Sequence, residues 1–490
     1  MTAINRKILS LAIPSILANI TVPLVGMVDI AVAGHLDASS SGTASSAALI
    51  GGVAIGSMLF DLLYWNFGFL RIGTGGLTAQ ACGRGDMKEC AGVFIRAAGI
   101  ALACALVLVG LQRLFLEAAF LVVDCTPEVR ALAVEYFSIR IWAAPATLCL
   151  MAFKGWFIGM QDGVSPMIID LVVNVMNAIV SIALALGFTA GRLHYDGMGF
   201  AGIAAGTVVA QYIGLLSAVL IMLARYRKRV FSGFRPASVY SSFKGGETRR
   251  FFSMNADLFI RSAGIIGIYI GFTMLSSRQG DLVLAGSAIL MKIMMLFSYF
   301  TDGFAYAGEA LCGRFIGEKD GTGLRQTVRM VFAWSMGIAV MFMLLYAVAG
   351  TPVLRMMTSD PDVISMCMDY MPWLLVMPLA GCAAFTWDGI YVGATASVSI
   401  RNAMVLALAG FFAVYLAGAG LLGVQAVQDW LADAGRSSSH GLSPEVSWRG
   451  HAVLHILLAA YFIHLVVRTV YLSMRYRKDV LSRVPGLESA

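Results

Sequence analysis

Twelve apolar stretches, each about long enough to cross a bilayer as a helix, follow one another along this chain and leave it few folds to adopt. Their approximate centres are Thr21, Tyr64, Val107, Ala144, Ile179, Ala210, Ile266, Phe300, Met336, Met377, Phe411 and Leu458. A hydrocarbon core takes about 20 helical residues to span. The second, eighth and tenth stretches run longer, which predicts tilt or extension beyond the bilayer. Charged residues make up 13% of the 490 and hydrophobic ones 59%. A soluble domain carries about 25% charge, so the composition points to a polytopic membrane protein.

The loops between the stretches set an orientation. Arg225, Arg227, Lys228, Arg229, Arg235, Lys244, Arg249 and Arg250 follow the sixth stretch; Arg314, Lys319 and Arg325 follow the eighth. The C-terminal segment holds Arg475, Arg477, Lys478 and Arg483, whereas residues 37–46 and 358–362 lack base. The positive-inside rule then places both termini and the central loop in the cytoplasm, which requires an even number of spans. The net charge of +7 follows from this bias and does not indicate nucleic-acid binding. Eight cysteines are scattered without a close Cys-x-x-Cys pair, so neither a disulfide framework nor a cysteine metal site is expected. The basic N-terminus and Ala31-Val32-Ala33 imitate a signal peptide, but the apolar run is too long and contains an acid, which predicts a retained first helix.

An internal repeat divides the chain. Pro127 and Pro361 are 234 positions apart, and the same ungapped shift relates Val129 to Val363, Tyr136 to Tyr370, Gly155 to Gly389, Gly159 to Gly393 and Ser165 to Ser399. It also relates Gly83 to Gly317 and Asp86 to Asp320. Each half holds six spans in the same orientation, so the repeats are parallel and enclose a midplane cavity, a transporter architecture. The expected units are an N-terminal lobe (1–225), a basic cytoplasmic linker (226–250) and a C-terminal lobe (251–490). The polar loop between the last two spans, 425–449, is expected outside, with Trp430 at the membrane surface.

Within the first stretch stand an acid, Asp29, and a proline, Pro23, which is expected to kink the helix and free the Asn19 carbonyl. An intramembrane carboxylate costs roughly 2.5–3.5 kcal/mol on the mildest scale and marks a functional candidate. Asp29 shares a stripe with the small residues Ala18, Gly26 and Ala33, a pattern that faces neighbouring helices. The fifth stretch carries Asp170, Asn174, Asn177 and Ser181 at steps of three and four, and the sixth adds Thr207 and Gln211. Together these polar groups offer a pocket for a proton or for Na⁺; interhelical hydrogen bonding is the purely structural alternative.

Elsewhere, the second stretch carries Asp61, Asn66, Arg71, Thr74 and Thr78, for which a structural role is expected. The eighth carries Lys292, Tyr299, Asp302, Tyr306 and Glu309 at helical spacing, and the tenth carries Trp387, Asp388 and Tyr391. These acids and aromatics suit a cavity for cationic or flat apolar substrates. Internal ion pairing is the alternative, and Asp257 with Arg261 is spaced to satisfy itself. His451 and His455 have metal-ligand spacing but lack the glutamate of a metalloprotease, and no phosphate-binding loop is present. Energy for transport must therefore come from a partner or an ion gradient, and no cofactor is expected.

The runs VPLVGMVDIAVAGHL, GFLRIGTGGLTAQACGRGD, DLFIRSAG and TDGFAYAGEALCGRFIG resemble the DinF branch of the multidrug and toxic compound extrusion transporters. That resemblance covers nearly all twelve spans. It implies an all-α membrane protein whose two six-helix lobes form a V, and export of cationic or amphipathic compounds against H⁺ or Na⁺. By position, Asp29 corresponds to the family's coupling acid, Asn177 to its fifth-helix asparagine and Thr207 to its sixth-helix threonine. Many relatives carry an aspartate where this chain has Ser181, which weakens Na⁺ chelation and favours a proton. The expectation is a monomeric, proton-coupled drug antiporter of a bacterial inner membrane. A lipid or polysaccharide-precursor flippase and a membrane-embedded histidine-metal enzyme stand as rivals.

Overall fold

The computed structural model describes residues 3–36, 45–121, 123, 125–190, 193–231, 243, 246–433 and 445–485, apart from the side chains of 22–24, 189, 190, 193 and 422–451. Twelve helices among them are long and apolar enough to cross a membrane. In chain order they are α1 (Ala3–Gly34), α2 (Ser46–Gly83), α3 (Met87–Gly110), α4 (Pro127–Gly159), α5 (Val164–Leu186) and α6 (Phe200–Val230). The second half supplies α7 (Gly246–Ser277), α8 (Asp281–Glu318), α9 (Gly321–Met357), α10 (Met371–Gly393), α11 (Ser397–Leu421) and α12 (Ala452–Arg483).

The second and eighth predicted runs are the long helices expected of them, 38 residues each. The tenth is not. Tyr370 leaves the helical region and separates α10, 23 residues long, from a short helix at Pro361–Asp369. Pro372 has no N–H to carry the ladder back across that break. A two-stranded hairpin, Phe188–Ala190 against Leu193–Tyr195, is the one departure from an all-α chain among the described residues. Helix α1 is continuous through Pro23, whose side chain lies outside the described atoms. The side chain of Trp430 is likewise not described.

The 234-residue offset is visible in the packing. A Cβ at Gly155 would sit 2.1 Å from the Arg71 carbonyl oxygen, and one at Gly389 would sit 2.1 Å from that of Ala305. Both contacts are the same contact, because Arg71 and Ala305 are also 234 positions apart. In each half, glycine lets α4 or α10 lie directly on the backbone of α2 or α8. Asp86 and Asp320 match for another reason: each is an N-cap, accepting from the N–H of Glu89 and of Gly323 respectively. Gln161 and Thr395 both turn the chain with positive φ, at 62° and 53°.

The lobes meet along α2 and α8, with α1 also packed on α8, and the backbone-close contact of α2 with α8 lies toward the end of each. Near their starts, Ala54, Met58, Asp61 and Trp65 of α2 and Ala285, Ala288, Lys292 and Leu296 of α8 are exposed. Toward their ends, Gly73–Ala81 and most of Phe304–Ile316 are buried. There Gln80 Nε2 donates to the Gly393 carbonyl at 3.0 Å, and Arg314 donates to Gln161 Oε1 at 2.7 Å. Gly83 and Gly317 allow the backbones of α2 and α8 to touch: added Cβ atoms would lie 2.2 Å from the Arg314 oxygen and 2.3 Å from the Gln80 oxygen. The two lobes therefore form a V, open where α2 and α8 begin and closed where they end.

Candidate functional site

Asp29 is fully buried in the first lobe. Its Oδ2 accepts the Tyr136 hydroxyl at 2.8 Å and the Thr207 hydroxyl at 3.4 Å. Asn177 Nδ2 donates to Thr207 Oγ1 at 2.8 Å and to Ser181 Oγ at 3.4 Å, and Ser181 in turn donates to the Ile203 carbonyl. Asp29, Asn177, Ser181 and Thr207, drawn from α1, α5 and α6, thus form one cluster, as their stripes predicted.

Two buried oxygens in this cluster have no hydrogen-bond partner among the described residues: Asp29 Oδ1 and Asn177 Oδ1. A buried acceptor without a donor costs about 1–3 kcal/mol.

Other members of the predicted set lie elsewhere. Asp170 ion-pairs with Lys154 of α4 and takes no part in the Asp29 cluster. Asn174 Nδ2 donates to the Thr21 carbonyl at 3.2 Å, tying α5 to the middle of α1. Gln211 is half-buried one turn beyond Thr207 and makes no hydrogen bond to the cluster among the described residues.

Two residues of α4 complete the site. Tyr136 donates to Asp29 and itself accepts from Arg140 Nη1 at 2.7 Å. The same Arg140 nitrogen donates to Ser57 Oγ of α2 at 3.1 Å, and the guanidinium lies 5.0 Å from the Phe60 ring centroid. Sequence reasoning passed over both. The signal was present in Arg140, a basic residue inside an apolar span, one turn from Tyr136.

The second lobe gathers its charges differently. Asp388 accepts hydrogen bonds from both Arg261 of α7 and Arg468 of α12. The expected self-pairing within α7 does not form: Asp257 receives Arg401 at 2.6 Å and Ser397 at 2.7 Å, both from α11. In a membrane interior each charge needs a partner, and α11 and α10 offer better-directed ones than the next turn. Between the lobes, Arg71 of α2 lies 3.5 Å from Glu309 and 4.1 Å from the Tyr306 ring centroid. Asp302 lies in the field of Arg71, Arg261, Asp388 and Arg468. Tyr299 accepts, at its backbone carbonyl, the Asn19 amide at 3.2 Å. Lys292 alone of this stripe is exposed. All eight cysteines are free thiols. His455 Nδ1 accepts the Trp373 indole N–H at 3.0 Å, and the side chain of His451 lies outside the described atoms.

Comparison with known proteins agrees with this geometry. The MatE family model matches residues 14–183 and 258–416. The chain is 32% identical over 451 residues to DNA damage-inducible protein F of Escherichia coli K12, covering 92% of this chain and 93% of that one. It is 20% identical to the multidrug resistance protein NorM of Photobacterium profundum, covering 92% of each. A solved MOP superfamily transporter from Pyrococcus furiosus superposes with a TM-score of 0.76 at 14% identity, over 100% of this chain and 98% of that one.

Proposed function

Because the chain belongs to the MatE family, whose members are membrane transporters and not enzymes, we propose that it is a secondary active efflux antiporter coupled to protons at Asp29. Its substrates are small-molecule drugs, as the names of its multidrug resistance relatives suggest, and the acids and aromatics of the second lobe favour cationic or amphipathic ones. The protein works as a monomer in a bacterial inner membrane, with both termini and the 226–250 linker in the cytoplasm, so that the V opens outward. Residues 1–225 and 251–490 are its two lobes.

The observation that carries this reading is the full burial of Asp29, with an Oδ1 that has no hydrogen-bond partner among the described residues. A proton arriving on Asp29 Oδ1 turns an acceptor without a partner among the described residues into a donor, and Asn177 Oδ1, an acceptor likewise without one, belongs to the same cluster. Sodium fits less well. It needs several oxygen ligands, and the hydroxyls of Thr207 and Ser181 are already held by Asn177. Protonation cancels the charge on α1, which allows the first lobe to repack and expel the substrate; exchange follows because proton and substrate favour different states.

Purified protein in proteoliposomes tests this directly. An imposed pH gradient drives transport of a lipophilic cation such as tetraphenylphosphonium, a Na⁺ gradient alone does not, and Asp29→Asn abolishes the pH-driven component. Transport driven by Na⁺ alone, or wild-type pH dependence in Asp29→Asn, refutes proton coupling at Asp29.

A further inference from the structure

Asp61 is an acid of the first lobe that no described side chain holds. It lies on the exposed part of α2, and among the described residues it forms neither an ion pair nor a hydrogen bond. A carboxylate midway along a spanning helix does not face lipid at a cost of several kcal/mol, so it faces the water-filled opening between the lobes. Ser57, one turn before it on the same side of α2, is held by Arg140 Nη1 at 3.1 Å. Arg140 is thus one helical turn from Asp61 and one tyrosine hydroxyl from Asp29.

We propose that Asp61 receives the positive group of the substrate, and that Arg140 is a counter-ion shared between Asp61 and the buried Asp29. This rests on reading Asp29 as the proton site. While Asp29 is ionised, its charge and that of Arg140 balance through Tyr136, and Asp61 is free to hold a cation. Once Asp29 is protonated, the guanidinium loses that balance and its field falls on Asp61, from which the substrate cation is displaced. Proton uptake and substrate release are then linked by charge, across two hydrogen bonds.

The groups around this pair are few. Arg140 is acted on by Tyr136, Asp29, Tyr64 and Asp61. Asp61 is acted on by Arg140 and by Lys292, which faces it from α8 of the other lobe, and its field reaches Tyr299 on the same helix. Lys292 belongs to the opposite wall and is joined to neither Asp29 nor Tyr136 by any described hydrogen bond, so it offsets Asp61 whatever the state of Asp29. Arg140 alone bridges both acids. Trp65, one turn beyond Asp61 on α2, is 41% exposed and packs on Tyr269 of α7 with ring centroids 4.9 Å apart, which gives the cation an aromatic surface for its body.

Equilibrium binding of tetraphenylphosphonium to the purified full chain, at alkaline and at acidic pH, tests the proposal without requiring transport. Wild-type affinity falls about tenfold on acidification, since a counter-ion gained by Asp61 competes with the ligand. Asp61→Asn binds about tenfold more weakly at alkaline pH and loses the pH dependence. Arg140→Gln, compared with its own alkaline affinity, no longer weakens in acid, whereas Arg140→Lys, which retains the charge, still does. Each variant is first checked for a monodisperse elution profile, and Arg140→Lys serves where Arg140→Gln does not fold. Unchanged binding in Asp61→Asn, or equal pH dependence in Arg140→Gln, overturns the shared counter-ion. Failure of the antiport reading would look different: pH-dependent binding would persist while the gradient drove no transport.

Discussion

The guanidinium of Arg71 stands 3.5 Å from the carboxylate of Glu309, joining α2 of one lobe to α8 of the other at the closed end of the V. Glu309 is almost wholly buried, and its second oxygen has no hydrogen-bond partner among the described residues. A buried acid left without its base is costly, about 3–5 kcal/mol. Arg71→Ala is therefore expected to destabilise the protein strongly in thermal unfolding. Adding Glu309→Gln to that variant recovers much of the loss, since the stranded charge is gone. Strict additivity in this double-mutant cycle would show that the two side chains are not coupled.

The glycine contacts of the repeat make a second prediction. Gly155→Ala and Gly389→Ala each push a methyl to within 2.1 Å of a backbone oxygen, on Arg71 and Ala305. Backbone cannot step aside as a flexible side chain does, so each variant is expected to lose about 1–3 kcal/mol. The two losses should be alike, because the contact is the same in both halves. Thermal unfolding of both variants in one detergent decides it.

Much of this organisation is readable in the residues, and the limits of that reading are physical. The twelve spans follow from hydropathy alone. The repeat could be found because its matched positions do equivalent jobs: Asp86 and Asp320 cap helices, and Gly155 and Gly389 seat one backbone on another. The cluster of Asp29, Asn177, Ser181 and Thr207 was legible because each polar stripe lies on a single helix face. Which charge meets which was not. Helical spacing permits Asp257 to meet Arg261, yet α11 reaches Asp257 and α10 reaches Arg261. That choice depends on how helices distant in sequence are arranged. Asp170 likewise sits on the right stripe and is taken by Lys154. Tyr136 and Arg140 enter the site from α4, one turn apart, and which helix such a pair turns to is again a matter of tertiary arrangement.

Tyr136 is expected to set the pH range of transport. Its hydroxyl donates to Asp29 Oδ2 at 2.8 Å, a bond that favours the ionised acid. Tyr136→Phe removes that donor, so Asp29 takes up its proton more readily and the midpoint of the transport profile moves to higher pH. Hydrogen bonds to a charged group are worth about 1.5–3 kcal/mol, which corresponds to roughly one to two pH units. An unshifted profile in proteoliposomes would mean that the hydroxyl does not act on the coupling acid.

Ser181 carries the last prediction, which tests the proposed choice of a proton over Na⁺. A Cβ at Gly206 would lie 2.3 Å from Ser181 Oγ and 2.5 Å from its Cα, so α5 and α6 are in close contact at this position. Ser181→Asp puts a second carboxylate into a buried cluster that already holds Asp29, with no base to pair it except Arg140 beyond Tyr136. Two acids in one buried site repel, and the variant is expected to be destabilised by several kcal/mol. A cation between the two carboxylates offsets that repulsion and supplies the oxygen ligands the wild-type site lacks. The unfolding temperature of wild type should accordingly be the same in sodium chloride and in choline chloride, whereas that of Ser181→Asp should rise in sodium. A sodium-dependent rise in the wild type would place Na⁺ at the Asp29 cluster and remove the argument for a proton there.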